Sequence, residues 1–529
     1  MPSHADVMAQ TLAECGVRYV FGLPGGEIAP FIESCRKTDL RFLLTGHETS
    51  AALIAQVLGQ ITGTPGVCLS TLGPGATNLV TGVANAYLDR SPLLAVVAQI
   101  PQASYANMTH QRLGIEALFA PITKRCVTVG SGDSADLIRN SLSVAMAPRP
   151  GPVTLVLPSD VANQTSINHV KNTKAAPTIT RAKTADSLVR IADRITRSRR
   201  PLLLIGLGCP PGSAATVRTL VESLQAPFMV TPKAKGIVPE DHPLFLGVAS
   251  GMALDRDILE TIRAADLILG IGFDPVEVDK TWFTEVEVVA IDSVSMAEGD
   301  YHPIEVIGEL ELLVQELNNH MTQPRSWTTD LVDARRQALK RLPQHSNRGV
   351  STLGLIEGLR SAFPRNGIVS CDVGSHKALM GQFWRSYEPG TFFMSNGLSG
   401  MGFGIPAAIA AQLAYPDRSV MAVVGDGGML MMTHDLVLIR ELGLPIVIVV
   451  LADNSLSLIR VAQERRGYPP CGVDFAGPDF AAVARAFGIR GERAVTIKDA
   501  QAALQCALDS RSSLLLEVPV DLREYYDLV

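Results

Sequence analysis

The sequence is poor in charge, in aromatic rings and in paired cysteines. Only 19% of its 529 residues are Asp, Glu, Lys or Arg and 5% are aromatic, whereas 47% are hydrophobic. Single cores stop growing near ~250–300 residues, so a chain of this length and composition is expected to form two or three domains. It has no lysine- or arginine-rich run, and its net charge is −6. The electrostatic footprint that nucleic acid or an anionic membrane demands is therefore missing, and a small molecule is the expected partner. The longest apolar stretches, such as Ile446 to Leu451, fall far short of the roughly 20 residues that span a bilayer. The opening MPSHADVMAQ lacks a basic stretch followed by an apolar one, which makes the cytoplasm the expected compartment. The cysteines, at positions 15, 35, 68, 126, 209, 371, 471 and 506, include no Cys-x-x-Cys pair and no cysteine–histidine cluster at zinc spacing. They read as reduced core residues.

What the sequence does contain is one recurring rhythm. Short aliphatic and β-branched runs end at Gly, Asp or Ser turns and pass into longer helical patterns, as parallel α/β sheets require. GVCLSTLGPGATN, SPLLAVVAQ, RPLLLIGLG, ADLILGIGFDP, VEVVAIDS, GIVSCDVGS, RSVMAVVGDGG and LPIVIVVLADN all carry it. Two polar interruptions, Asn163 to about Ser187 and about Met321 to Asn347, read as linkers. The expected architecture is three doubly wound α/β domains with parallel sheets, at 1–165, 186–320 and 348–529.

The strongest chemical signal is Gly425-Asp426-Gly427-Gly428, between the apolar strand SVMAVV and the helical run MLMMTHDLVLIREL. Leu444-Pro445 then opens a second buried strand, IVIVVL, which ends at Ala452-Asp453-Asn454. A right-handed crossover puts both strand ends, and both aspartates, on one edge of a sheet. Oxygen ligands there, with glycines that let backbone approach closely, suit an octahedral Mg²⁺ that also takes oxygens from a diphosphate. Taken singly, Gly-Asp-Gly and Asp-Asn are ordinary turn residues; it is their joint arrangement that carries weight. The Gly270 to Pro275 stretch lacks the GxGxxG fingerprint, so it reads as a retained Rossmann-like fold without a nucleotide.

The strand–GDGG–helix–strand–DN arrangement resembles the diphosphate-binding motif of thiamine-diphosphate enzymes. The stretch LLTGHETSAALIAQVLGQITGTPGVCLSTLGPGATNLVTGVANAYLDRSPLLAVVAQIP is similar to their first domain. From VFGLPGGEIAP to VPVDLREYYDL the chain resembles the acetolactate synthases, and among them the catabolic, flavin-free branch. That resemblance implies thiamine diphosphate and Mg²⁺ as cofactors and argues against FAD. It places Asp426, Asp453 and the Ser455 carbonyl on the metal, and Gly425, Gly427 and Gly428 along the diphosphate. Met401, in SNGLSGMGFGIPAAIAAQ, falls at the hydrophobe that props the cofactor in a bent shape. Glu48 falls at the glutamate that hydrogen-bonds the aminopyrimidine ring, with Gly25, Gly26, Thr71, Pro74 and Asn78 around the cofactor. In MTHQRLGIEALFAPITK, Gln111 and His110 fall on the substrate side.

The activity implied is decarboxylation of a 2-oxo acid, pyruvate, with carboligation to a second carbonyl. The assembly implied is a homodimer or homotetramer with active sites at the subunit interface. The chain departs from the catabolic pattern at Glu27, in PGGE where that branch has a lysine, and in NGLSGM where it has NGQQTM. It also has Ala462 where the biosynthetic branch has a tryptophan. A simple decarboxylase, an oxidase or lyase acting on another acyl donor, and a catalytically silent binding homologue all stay open. His47, His376 and His434 are expected in structural or hydrogen-bonding roles, and Arg460, Gln463, Arg465 and Arg466 on a solvated helix face.

Overall fold

The computed structural model describes all residues except 131, 167–180, 250, 279–284, 322–348 and 529. Its described residues form three sheets of six parallel strands each. The first comprises β1 (Tyr19–Gly22), β2 (Arg41–Leu44), β3 (Gly66–Ser70), β4 (Leu93–Gln99), β5 (Arg125–Thr128) and β6 (Pro152–Pro158). The second comprises β7 (Pro201–Ile205), β8 (Phe228–Val230), β9 (Phe245–Val248), β10 (Leu267–Ile271), β11 (Val288–Asp292) and β12 (Ile304–Ile307). The third comprises β13 (Ile368–Cys371), β14 (Phe392–Met394), β15 (Val420–Gly425), β16 (Ile446–Ala452), β17 (Arg490–Arg493) and β18 (Leu514–Pro519). Strands β4 and β6 are buried along their whole length, as in a parallel sheet covered by helices on both faces. Three α/β domains are thus what the rhythm of apolar runs and turns builds.

The first sheet is ordered β2-β1-β3-β4-β6-β5 and the third β14-β13-β15-β16-β18-β17, so each runs second, first, third, fourth, sixth, fifth. The two sheets have one topology. The middle sheet differs, with the order β12-β11-β10-β7-β8-β9.

The first and third domains share a core through two helices, Glu48–Thr62 and Gly404–Ala414. Ala51, Ala52 and Ala55 of one and Ala407, Ala408 and Ala411 of the other are fully buried. Small side chains let these helices approach closely. The same holds where the Pro74–Leu88 helix crosses, since a Cβ at Gly82 would lie 2.4 Å from the Ala52 Cβ. The middle and third domains share a second core, in which Lys235 and Glu240 form a fully buried ion pair at 2.8 Å.

Three expectations need correction. The run MLMMTHDLVLIREL is not one helix: it breaks into Asp426–Met431 and Asp435–Leu442. The break turns the fully buried Asp435 inward, where both carboxylate oxygens lie 2.6 Å from the Ser50 hydroxyl of the first domain. All eight cysteines are free, but only Cys35, Cys68, Cys209 and Cys371 are buried; Cys15 and Cys126 are half-buried, and Cys471 and Cys506 are exposed. The helix Arg181–Arg197 begins inside the first stretch read as a linker, and most of both stretches lies outside the described residues. Among the described residues no helix is long and apolar enough to cross a membrane.

Burial pushes the Asp435 carboxyl up from 3.8 to about 7, against the Ser50 hydrogen bond and the nearby His47, which lower it; the His434 ring lies 3.3 Å away. Between those two values the folded chain holds a proton that the unfolded chain has released, so this group's contribution to stability falls as pH rises through that window. Asp435→Asn is expected to flatten the fall of the thermal midpoint between pH 4 and 7, checked by thermal unfolding across that range.

Candidate active site

In each outer domain the site residues gather at the carboxyl edge of the sheet. In the first, Glu48 opens the helix Glu48–Thr62, whose N-cap is His47: its Nδ1 accepts from the Thr49 N–H. The helix ends at Gly63 in the left-handed region, φ 68°. Glu48 is 6% exposed and accepts a 3.0 Å hydrogen bond from Asn78 Nδ2. A carboxylate at this position gains from the positive end of the helix as well.

Asn78 is the fifth residue of the Pro74–Leu88 helix, which follows Gly73 at φ 58°. A Cβ at Gly75 would meet Glu48 Oε1 at 3.1 Å and Thr71 Cγ2 at 2.8 Å, so this loop closes directly over the carboxylate. Thr71 Oγ1 donates to Glu27 Oε2 at 3.0 Å, and a Cβ at Gly25 would lie 2.3 Å from that same hydroxyl oxygen. The neighbouring Gly26 has nothing within 4 Å of its Cβ position. Gln111 is exposed, has φ 55°, and lays its Cβ over Gly73. His110 beside it is exposed and has no hydrogen-bond partner among the described residues.

In the third domain, β15 and β16 are adjacent, and Asp426 and Asp453 stand at or just past their ends. Asp426 is buried. Its Oδ2 accepts from the Asp453 N–H at 3.1 Å and the Asn454 N–H at 2.6 Å, and its Oδ1 from the Gly427 N–H at 2.8 Å. Asp453 accepts from the Ser455 N–H and the Ser457 hydroxyl. Burial raises the Asp426 carboxyl, and burial followed by the charge of Asp426 pushes Asp453 up to about 7. Neither carboxylate has an ion pair among the described residues. Two such groups side by side without a counter-charge favour a cation. No cluster of three or more His, Cys, Asp or Glu side chains able to hold a metal occurs among the described residues. A cation here would draw its remaining oxygens from backbone, water or a bound ligand, as Mg²⁺ at phosphate sites does.

Met401 is half-buried, and its Cε lies 3.0 Å from the Cβ position of Gly427. Asp372 and Ser375, which sequence reasoning missed, and His376, expected there only in a structural or hydrogen-bonding role, complete this edge. Asp372, just past β13, accepts from the Val373, Gly402 and Phe403 N–H groups and so fixes the turn that carries Met401. A Cβ at Gly428 would lie 2.2 Å from its Oδ2. Ser375 and His376 begin the helix Ser375–Phe383, and the Ser375 Oγ and His376 Nε2 are buried without a partner. The His376 ring comes within 3.2 Å of the Cβ position of Gly425, and burial pushes its pKa down to about 4, so the ring is neutral at pH 7. Two orphaned polar atoms at a helix N-terminus, beside a glycine-lined carboxylate pair, fit the oxygens of a diphosphate. The available signal was CDVGSH, which repeats the strand–Asp–Gly pattern of VVGDGG.

Within one chain, no hydrogen bond or ion pair among the described residues joins Glu48 or Asn78 to Asp426, Asp453 or Met401. Helix Ser457–Arg465 carries Arg460, which pairs with Asp474 at 2.8 Å and with Glu464 at 3.2 Å rather than with these carboxylates.

Residues 3–118, 188–317 and 372–518 match the family models described as the N-terminal TPP binding domain, central domain and C-terminal TPP binding domain of thiamine pyrophosphate enzymes. The chain is similar to the acetolactate synthase of Bacillus subtilis strain 168, 30% identical over 546 residues, with 99% of this chain and 94% of that one covered. It is similar to the acetolactate synthase isozyme 1 large subunit of Escherichia coli K12, 30% identical over 537 residues, with 98% and 94% covered. It is also similar to the catabolic acetolactate synthase of Raoultella terrigena, 28% identical over 537 residues, with 98% and 95% covered.

The glycines of the two edges are not equivalent. Gly428→Ala drives a methyl into the Asp372 carboxylate and pulls it from its backbone donors, an expected loss of about 1–3 kcal/mol by chemical denaturation. Gly26→Ala meets open space and is expected to stay within about 0.5 kcal/mol of the parent.

Proposed function

The chain belongs to the thiamine pyrophosphate enzymes and is of the acetolactate synthase type, and on that premise we propose that it decarboxylates pyruvate and joins the remaining two-carbon unit to a second carbonyl. The observation that carries this reading is the adjacent Asp426–Asp453 carboxylate pair, the first buried and the second half-buried, with glycines and orphaned polar atoms around it. Asp426, Asp453 and the Ser455 carbonyl would hold Mg²⁺. Gly425, Gly427 and Gly428 let the backbone approach the diphosphate, and Ser375 and His376 complete its shell. Met401 would pack against the bound cofactor beside Gly427.

Glu48, held by Asn78 under the Gly73–Gly75 loop, would hold the aminopyrimidine end of the cofactor and supply the carboxyl group that exchanges a proton with it. Gly25, Gly26, Thr71 and Pro74 line the same side. Gln111 and His110 stand toward the second carbonyl, on the loop that rests on Gly73. Bound thiamine diphosphate supplies the electron sink for loss of CO₂, and the protein's part is to bind, orient and exclude water. No flavin takes part. As the resemblance to the family implies, the Glu48 edge of one copy and the Asp426 edge of another form one site, in a homodimer or a pair of homodimers.

Glu48→Gln is expected to keep cofactor affinity and lose about 10²–10⁴-fold in turnover. Asp426→Ala is expected to abolish Mg²⁺-dependent cofactor binding, read by calorimetric titration. The deciding experiment is CO₂ release and product identity from pyruvate, with and without thiamine diphosphate and Mg²⁺. Cofactor-dependent acetolactate is the expected result. Acetaldehyde as the sole product would make the chain a simple decarboxylase, and no CO₂ despite cofactor binding would overturn pyruvate as donor.

A further inference from the structure

The middle sheet changes direction between β7 and β10, and that switch point is the crevice where sheets of this order take a dinucleotide. Here the chain closes it. After β7 and β10 the two loops are zipped together by backbone: the Gly206 N–H donates to Ile271 O at 2.9 Å and the Gly208 N–H to Gly272 O at 2.8 Å. A Cβ at Gly272 would lie 2.4 Å from the Cys209 nitrogen.

A nucleotide phosphate in such a loop needs free amide N–H groups. The Leu207 N–H instead donates to Glu277 Oε2 at 2.9 Å, and the Lys233 N–H reaches Glu277 Oε1 at 3.4 Å. Asp292, at the end of β11, and Asp274, after β10, are buried nearby and add negative charge that a phosphate would meet. Asp274 is engaged by Arg90 of the first domain at 2.9 Å.

The same glutamate faces the third domain. Its backbone oxygen accepts from Asn396 Nδ2 at 2.8 Å. The Asn396 and Gly397 N–H groups donate to Asp89 Oδ1 of the first domain at 3.1 and 2.8 Å, and Lys233 Nζ lies 3.4 Å from the other Asp89 oxygen. Asn396 lies five residues before Met401 on the segment that leads to the cofactor.

We propose that Glu277 stands in this crevice where a nucleotide phosphate would, bars flavin and other dinucleotides, and acts as a positioning residue for the segment from Ser395 to Met401. This rests on the reading of Met401 as a cofactor support. Burial pushes the Glu277 carboxyl up to about 7. Losing its charge therefore costs little, whereas losing its oxygens strands two backbone N–H groups.

The test uses the full-length protein and two titrations, thiamine diphosphate at saturating Mg²⁺ and FAD followed by its visible absorbance. Neither wild type nor Glu277→Gln is expected to take up FAD, and Glu277→Gln, which keeps one acceptor oxygen for the Leu207 N–H and gives up the longer contact to the Lys233 N–H, is expected to bind thiamine diphosphate more tightly than Glu277→Ala. Glu277→Ala and Asn396→Ala are expected to weaken thiamine diphosphate about five- to tenfold, the factor that one lost hydrogen bond gives. Asn396→Ala cuts only the link to the Glu277 carbonyl, and it decides the matter if Glu277→Ala does not fold. Stoichiometric FAD on wild type, or unchanged thiamine diphosphate affinity in Asn396→Ala, overturns the proposal. Absence of thiamine diphosphate binding by wild type overturns the functional reading beneath it, a result distinct from both.

Discussion

The alanine-faced contact between the helices Glu48–Thr62 and Gly404–Ala414 determines where everything else in the molecule stands. Each helix belongs to a sheet of the same strand order, and their small side chains press the two sheets into one core. Packing this close leaves no room for a larger residue without strain. The contact brings Ser50, two residues after Glu48 in the same helix, to the buried Asp435 carboxylate, on the helix that follows Asp426–Met431. A glutamate edge and an aspartate edge are thereby fixed in one rigid unit, and no hydrogen bond or ion pair among the described residues joins them directly.

A buried carboxylate is tolerated only when its oxygens are hydrogen-bonded. Asp89 meets that condition with groups from all three domains: Asn85 from its own helix, Asn396 and Gly397 from the third domain, and Lys233 from the middle one. The Pro74–Leu88 helix ends at this carboxylate and begins at the loop over Glu48, so a rod about 22 Å long, at 1.5 Å per residue, joins the two. The middle domain enters this arrangement as a clamp, with the Glu277 carbonyl holding Asn396 and Lys233 holding Asp89.

The sequence discloses what is local. Apolar runs of strand length followed by Gly/Asp turns disclose the parallel sheets, and Asp426 and Asp453 are legible because a short crossover ties adjacent strands. Glu48 was legible only by resemblance, since an isolated His-Glu pair at a helix start has many uses. Asp89 could not be read, because its donors from the other two domains, Lys233, Asn396 and Gly397, lie far away along the chain, and neither could the inward turn of Asp435, which breaks a run that looks continuously helical. Asp372 and His376 carried a weak local signal in CDVGSH, but nothing in the sequence alone shows that its loop folds against Gly425 and Gly428. The cysteines show the limit of a compositional argument: rarity and irregular spacing excluded metal and disulfide frameworks, yet did not decide which thiols are buried.

The central claim is that one catalytic site is built from the Glu48 edge of one copy and the Asp426 edge of another. The most direct test pairs Glu48→Gln with Asp426→Ala, each silent by itself, in mixed dimers isolated through two different affinity tags. Such a dimer holds one wholly intact site if the halves come from different chains, and none if they come from the same chain. The account predicts that cofactor-dependent CO₂ release from pyruvate returns in the mixed dimer. Mixed dimers as silent as their parents, beside active wild-type dimers isolated in the same way, would contradict it.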